Sequence, residues 1–250
     1  MRILLTGHRG FIGTALYKSL NLNHTVIGID LVDGKDLLSC SWPLNIDLVI
    51  HLAGKSGVRE SVNDPAAYWT NNIEASRRLF DRYQDTRILY ASSSSAYEPD
   101  LNPYAASKFC LEELASRYTN TLGMRFHTVW CHKPRTGMFF DKLFKGTLEY
   151  VTTHHRDFVH LHDVIDAINI LIEQPHVSGV LDIGTGVPIR IQNLVKNLPV
   201  RMSTPTEREW TCANIEKMKA LGWQPKYSIE KDLTDTDLGA IISIITGEKV

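Results

Sequence analysis

Three glycines within seven residues follow the first apolar run of this chain, where Ile3-Leu4-Leu5-Thr6 leads into Gly7-His8-Arg9-Gly10-Phe11-Ile12-Gly13. A run of that kind suits a strand buried in a parallel sheet. Glycines directly after it permit a tight turn, close approach of the backbone to a pyrophosphate, and close packing of the next helix. The helix expected from about Phe11 to Leu20 turns its N-terminal amides and positive dipole end toward an anion. By itself such a ladder is also compatible with an ordinary strand-ending turn. The next apolar run, Val26-Ile27-Gly28-Ile29, ends in Asp30, at about the distance where a carboxylate meets the adenosine ribose of a dinucleotide.

The 250 residues are enough for one large domain, or for a domain with a small appendage. A net charge of −1 supplies no electrostatic draw toward nucleic acid or an anionic membrane, so neither is expected as a partner. Cys40, Cys110, Cys131 and Cys212 are scattered without a Cys-x-x-Cys pair, which points to reduced thiols. No secretory leader is read at the start, and the apolar stretch Ala240–Ile245 is too short to cross a bilayer. A cytoplasmic protein is expected.

Strand-like runs near 2–6, 24–30, 47–52, 87–92 and 123–130 alternate with helix-like segments near 11–20, 65–83 and 104–121. That alternation predicts an α/β fold, a Rossmann-like doubly wound parallel sheet covered on both faces. The stretch from Leu31 to Asn45 is short for a full crossover, so a stunted second helix is expected. After residue 131 the texture changes to short strands near 148–151 and 157–160, a helix near 162–173, a strand near 179–183 and later helices. The expected division is a nucleotide-binding domain over 1–130 and a smaller, interleaved lobe over 131–250, with segments of about 148–183 returning to the sheet.

Tyr104-Ala-Ala-Ser-Lys108 places a phenol and an ammonium four residues apart, on one helix face. An ammonium some 4 Å from the phenol favours the phenolate by about 4 kcal/mol at an effective dielectric near 20, which brings Tyr104 toward useful proton abstraction. Alone, the pattern is also that of a surface lysine beside a half-buried ring. It follows Ile88-Leu89-Tyr90-Ala91 running into Ser92-Ser93-Ser94-Ser95-Ala96-Tyr97, which puts hydroxyls at a strand's carboxyl end just before the Tyr104 helix.

The glycine ladder, His51-Leu52-Ala53-Gly54, the serine cluster and Tyr-x-x-x-Lys occur in an order that resembles the extended short-chain dehydrogenase/reductases, within them the NAD-dependent sugar epimerase/dehydratase family. The similarity continues through Val58–Pro65, Tyr68, Asn72-Ile73, Arg156-Asp157-Phe158-Val159-His160, Asp163-Val164, Ile183–Gly186 and Leu221-Gly222-Trp223-Gln224-Pro225. The resemblance implies that Gly7, Gly10, Phe11, Ile12, Gly13, Asp30, Asp36, Leu37, Leu52 and Ala53 line an NAD site, with Tyr104 and Lys108 at its nicotinamide end. Asp30 favours NAD over its 2′-phosphorylated form, because an acid repels that phosphate.

The family's shared opening step takes a proton from a sugar hydroxyl while hydride leaves the same carbon. By resemblance Tyr104 is the base, Lys108 its assistant and Ser93 the hydroxyl helper. Dehydratases of the family carry a carboxylate two or three positions before the motif tyrosine, here Tyr97, where this chain has Ser95 and Ser94. The missing carboxylate favours a 4-epimerase, and Ala91–Tyr97 with Arg125–Trp130 most resembles UDP-glucuronate 4-epimerases. Ser93, Ser94, Thr128, Arg135, Arg156 and Glu207 are then expected to hold a nucleotide sugar, with Arg135 as a fork for the uronate carboxylate and a homodimer as the assembly. Another oxidoreductase or dehydratase of the same fold, or a non-catalytic NAD-binding scaffold, are the alternatives. No metal is expected at His154-His155 or at His160 and His162, since no Cys or carboxylate set completes a coordination sphere. Only six residues separate Tyr97 from Tyr104, fewer than the family commonly has.

Overall fold

The computed structural model of the chain describes residues 1–195 and 198–233; the Ala240–Ile245 stretch lies outside the described residues. The first half runs β1 (Arg2–Thr6), α1 (Phe11–Leu20), β2 (Thr25–Ile29), β3 (Leu48–His51), α2 (Val58–Asn63), α3 (Pro65–Trp69), α4 (Ala75–Arg82), β4 (Arg87–Ser93), α5 (Pro103–Ala115) and β5 (Thr121–Phe126). The second half runs β6 (Thr128–Trp130), α6 (Phe139–Phe144), β7 (Val151–Thr152), β8 (His155–His160), α7 (Leu161–Ile172), β9 (Gly179–Ile183), β10 (Pro188–Arg190), α8 (Ile191–Leu194), β11 (Val200–Arg201), α9 (Glu216–Ala220) and α10 (Ile229–Asp232).

A six-stranded sheet of order β2-β1-β3-β4-β5-β9, parallel throughout, forms the centre. Its strands are apolar on both faces. Ile3, Leu5, Leu48 and Ile50 pack with Leu16 and Leu20 of α1 and with Val164 and Ile168 of α7. Leu4 and Val49 pack on the other side with Leu79 and Phe80 of α4 and Leu111 and Ala115 of α5. This odd-even division is the period-two geometry of a strand covered by helices on both sides. The region between β2 and β3 forms only a short helical turn at Leu31–Asp33.

Three segments depart from the simple periodic reading. The run 123–130 breaks after Phe126: the His127 amide makes a last bond to Ile183 O at 3.0 Å, and β6 then leaves to pair with β8. The segment 65–83 is α3 and α4 joined by a π turn at Thr70–Glu74. The helix expected to reach 121 ends at Ala115, because Thr121 Oγ1 donates to Ala115 O (2.8 Å) and turns the chain into β5. Of the strands in 148–183 only β9 enters the central sheet; β8 lies between β10 and β6, and β7 pairs with β11.

These outer strands enclose a third core of Trp130, Phe140, Leu143, Val151, Phe158 and Ile229. The Leu-Gly-Trp-Gln-Pro segment is a brace for α7. Trp223 Nε1 donates to Asp163 O at 3.0 Å, and the Asp163 carboxylate accepts from the amides of Lys226 and Tyr227 at 2.9 and 3.1 Å. No described helix is long and apolar enough to cross a membrane.

Candidate active site

Gly7 sits at φ +72°, and a Cβ there would lie 2.6 Å from Ala53 N. The turn after β1 therefore presses directly on the turn after β3, a contact only glycine permits. A Cβ on Gly13 would lie 2.0 Å from Gly7 O, so the first turn of α1 is locked beneath the loop. Gly10 caps α1 without a side-chain bond. Among the described residues no protein acceptor meets the amides of Phe11, Ile12 and Gly13, which leaves three donors together at the positive end of a helix. Phe11 and Ile12 pack against the core, as does Leu52.

Asp30 closes β2 and accepts from the amides of Arg9 and Val32, both at 3.0 Å. It thereby stands beside the glycine loop. Asp36 accepts from the Leu38 amide at 2.9 Å and shapes a turn. Leu37 is buried against Leu4, Ile29 and Val49, so its side chain contributes to the core below the loop.

At the end of β3, His51 is wholly buried between Thr6 Oγ1 at 2.7 Å and Ser76 Oγ at 2.8 Å. Ser76 Oγ donates to Asn72 O, so it accepts from His51 Nε2, and Nδ1 accepts from Thr6. Burial drives the His51 pKa down to about 3, with a further push from the Lys108 charge. Asn72, in the π turn, accepts from the Lys55 amide (2.7 Å) and donates to Lys55 O (3.0 Å) and Ser107 Oγ (2.9 Å). It ties the Ala53–Lys55 turn to α5. Single π turns inside helices recur at functional sites, and this one brings a buried amide between two site elements.

The α5 helix begins at Asn102, whose Oδ1 accepts from the Ala105 amide at 2.8 Å, with Pro103 in the first turn. Tyr104 follows immediately, and Ser93 at the end of β4 acts on its hydroxyl. Its ring lies edge-on to Tyr68, 6.1 Å between centroids. Lys108 points back under β4 and donates to Ala91 O at 2.9 Å; a Cβ on Gly54 would be 3.6 Å from its Nζ. Ser93, Tyr104, Lys108 and the Ala53–Gly54 turn thus converge beyond the carboxyl ends of β3 and β4. That is where open α/β sheets bind ligands.

The electrostatics differ from the simple Tyr–Lys pair. Burial raises the Tyr104 pKa above its usual value, and what lowers it is the Ser93 hydrogen bond and then the Arg135 charge. The Lys108 ammonium is engaged by the Ala91 carbonyl. Burial also draws the Lys108 pKa down to about 8, while Glu112 one turn further along α5 pulls it up. Glu112 itself is buried, taking Ser92 Oγ at 2.5 Å and the Arg125 fork at 2.8 and 2.5 Å. This Ser92–Glu112–Arg125 cluster behind the lysine was absent from the sequence-derived site; only the i, i+4 spacing of Glu112 from Lys108 signals it.

The remaining positions come from β6, β8, the end of β4 and the segments around 135 and 207. Arg135 hydrogen-bonds Ser56 Oγ. Arg156, on β8, donates to Arg208 O at 2.7 Å and to Glu207 Oε2 at 3.3 Å. Glu207 also faces Arg59 Nε at 3.4 Å. Ser94 is buried and its carbonyl accepts from Arg208 at 2.7 Å. Thr128 opens β6 beside Phe158 and has no side-chain partner among the described residues. Arg59 and Arg208 were not singled out in the sequence. Among the described residues, no group of three or more His, Cys, Asp or Glu side chains gathers as a metal site; His154 bonds Thr152 and His160 stacks on Tyr227.

Residues 3–134, more than half of the chain, match the model of the NAD dependent epimerase/dehydratase family. The chain belongs to that family. Its sequence is 27% identical to a UDP-glucuronate 4-epimerase of Thermodesulfobacterium geofontis across 93% of this chain and 94% of that protein. The alignment spans 304 positions, more than this chain contains, so the relative carries insertions that this chain lacks. A UDP-glucuronic acid 4-epimerase from Bacillus cereus, solved with UDP-glucuronic acid and NAD, superposes with a TM-score of 0.84 at 26% identity, covering 98% of this chain and 100% of that one. MoeE5, solved with UDP-glucose and NAD, does so with a TM-score of 0.82 at 27% identity over 99% of both chains. The Rossmann-like fold and the family's dependence on NAD are thereby fixed for this protein.

Proposed function

We propose that this protein is a UDP-sugar 4-epimerase acting on UDP-glucuronate and UDP-galacturonate. The observation that carries the reading is the convergence of Ser93 at the end of β4 with Tyr104 and Lys108 of α5 at the Ala53–Gly54 turn, and the Arg135 guanidinium bonded to Ser56 just after that turn. The residues present fit NAD: three helix amides lack protein acceptors among the described residues, the glycine path is packed to its limit, and Asp30 follows β2 beside it. Bound there, NAD supplies a reversible hydride acceptor.

In this reading Gly7, Gly10 and the amides of Phe11, Ile12 and Gly13 hold the pyrophosphate, Ala53 lies against it, and Asp30 binds the adenosine ribose. Lys108 holds the nicotinamide ribose, its ammonium fixed by Ala91 O. Tyr104 takes the proton of the sugar 4-hydroxyl and returns it after the ketone has turned its other face. Ser93 donates to the sugar oxygen and keeps Tyr104 oriented. Neither Ser94 nor Ser95 is an acid that would expel water from the keto sugar. Arg135 pairs with the uronate carboxylate, and Arg156 and Glu207 receive the nucleotide; Arg59 and Arg156 share the one carboxylate of Glu207, which leaves a net positive charge there for the diphosphate. Homodimerisation through the helices near 65–83 (α3 and α4) and 104–121 (α5) belongs to the same proposal.

Incubation with UDP-glucuronate tests it. The expected product is UDP-galacturonate with no net NADH. Release of a 4-keto sugar, or no conversion of any UDP-sugar in a panel, would overturn the reading.

A further inference from the structure

The segment 206–209 links parts of the molecule that the chemistry keeps separate. Thr206 O accepts from Asn102 Nδ2 at 2.9 Å, and Asn102 is the residue that caps the Tyr104 helix. Glu207 is shared by Arg156 and Arg59. Glu209 O accepts from the His155 amide at 2.8 Å, which seats the segment on β8. Arg208 then reaches the other way. Its Nη1 donates to Ser94 O at 2.7 Å and its Nε to Glu98 Oε1 at 2.7 Å. Its guanidinium lies 5.2 Å from the Tyr97 ring centroid, and Arg125 lies 4.2 Å from the same ring.

Resting on the nucleotide-sugar reading above, we propose that Arg208 is a positioning residue that clamps this strap onto the turn after β4. One segment then sets both the nucleotide contacts at Glu207 and Arg156 and the alignment of Ser93 with Tyr104. The ion pair to half-exposed Glu98 is the lesser part, since exposed pairs contribute little. The main part is the charged hydrogen bond to the buried Ser94 carbonyl, because Ser94 adjoins the Ser93 hydroxyl. The Arg208 backbone carbonyl simultaneously holds Arg156, so a shift of residue 208 moves both ends of the site together. Arg208 touches no reacting atom in this scheme and acts through its neighbours.

Arg208→Leu keeps the stem and removes the fork, at a partly exposed position that does not threaten folding. Calorimetry with UDP and steady-state rates with UDP-glucuronate should show Kd and KM raised about tenfold and kcat lowered several-fold, the scale expected of a small misplacement, with NAD affinity unchanged. Arg208→Lys should recover part of the loss. Unchanged Kd and KM, or NAD affinity falling in parallel, would overturn the clamp. Amide hydrogen exchange on the NAD-loaded protein tests the clamp without any sugar: Arg208→Leu should speed exchange in both 93–98 and 204–209. Faster exchange confined to 204–209 would overturn it, whereas a wild-type protein that ignores UDP, with Arg208→Leu still speeding exchange in both segments, would overturn only the substrate reading.

Discussion

The two walls of the site are built from different material. The wall expected to hold the cofactor is made of backbone: a glycine turn at φ +72°, helix amides without partners, and a carboxylate fixed by two amides. The opposite wall is made of long charged side chains that cross between elements, with Arg59 and Arg156 on Glu207 and Arg208 on Ser94 and Glu98. Backbone walls tolerate almost no added atoms. A wall of guanidiniums and carboxylates is adjustable, because each fork can be re-aimed or exchanged while the sheet beneath it stays as it is. Between them stand Ser93, Tyr104 and Lys108, where the proposed reaction moves its proton.

Changes at this junction should be the most costly. Tyr104→Phe should lower kcat by about 10³-fold, the range of a lost general base, with NAD binding retained; a residual rate within tenfold of wild type would remove Tyr104 from the mechanism. On the backbone wall, Gly13→Ala places a methyl 2.0 Å from Gly7 O. A fluorescence titration should show NAD affinity reduced about a hundredfold, a 1 Å-scale displacement of the first turn. Equal affinity would show that the turn yields.

Trp223→Ala sharpens the contrast from the structural side. Trp223 is 1% exposed and bonded to Asp163 O, so chemical denaturation should show a loss of about 3–5 kcal/mol while NAD affinity changes little. A parallel loss of NAD affinity would mean that the brace on α7 reaches the cofactor wall. On the side-chain wall, Arg135→Met should raise KM for UDP-glucuronate about tenfold and leave KM for UDP-glucose unchanged, with kcat altered for both because the Arg135 charge also acts on Tyr104; equal effects on the two KM values would deny Arg135 its carboxylate.

An effect absent at neutral pH, and felt only in acid, concerns His51. It stays neutral in the fold down to about pH 3, whereas in the unfolded chain it takes a proton near its ordinary value of 6.5. The unfolded state therefore binds more protons between those values, and native stability is full above about pH 6.5 and falls as pH drops toward 3. His51→Gln should flatten that part of the Tm-against-pH curve, and an unchanged slope would contradict the assignment.

The contrast between the walls also explains what could be read in advance. Glycines, apolar runs and the spacing of Tyr104 and Lys108 act through local backbone geometry, so they are legible in sequence, as is the parallel sheet they imply. Arg208 and Arg59 meet partners more than a hundred residues away, and no local pattern announces them. Glu112 was hidden differently: its spacing from Lys108 is local, but its partners Ser92 and Arg125 come from two neighbouring strands. The breaks at His127 and after Ala115 follow from single hydrogen bonds that hydrophobic periodicity does not carry.

In the proposed reaction a hydride leaves the sugar's C4 and returns to the same carbon within one active site. UDP-glucuronate deuterated at C4 tests this most directly. The deuterium should remain at C4 of the UDP-galacturonate formed, in unlabelled water and without added NADH. Deuterium lost to solvent, or accumulating in released cofactor beside a keto sugar, would contradict it.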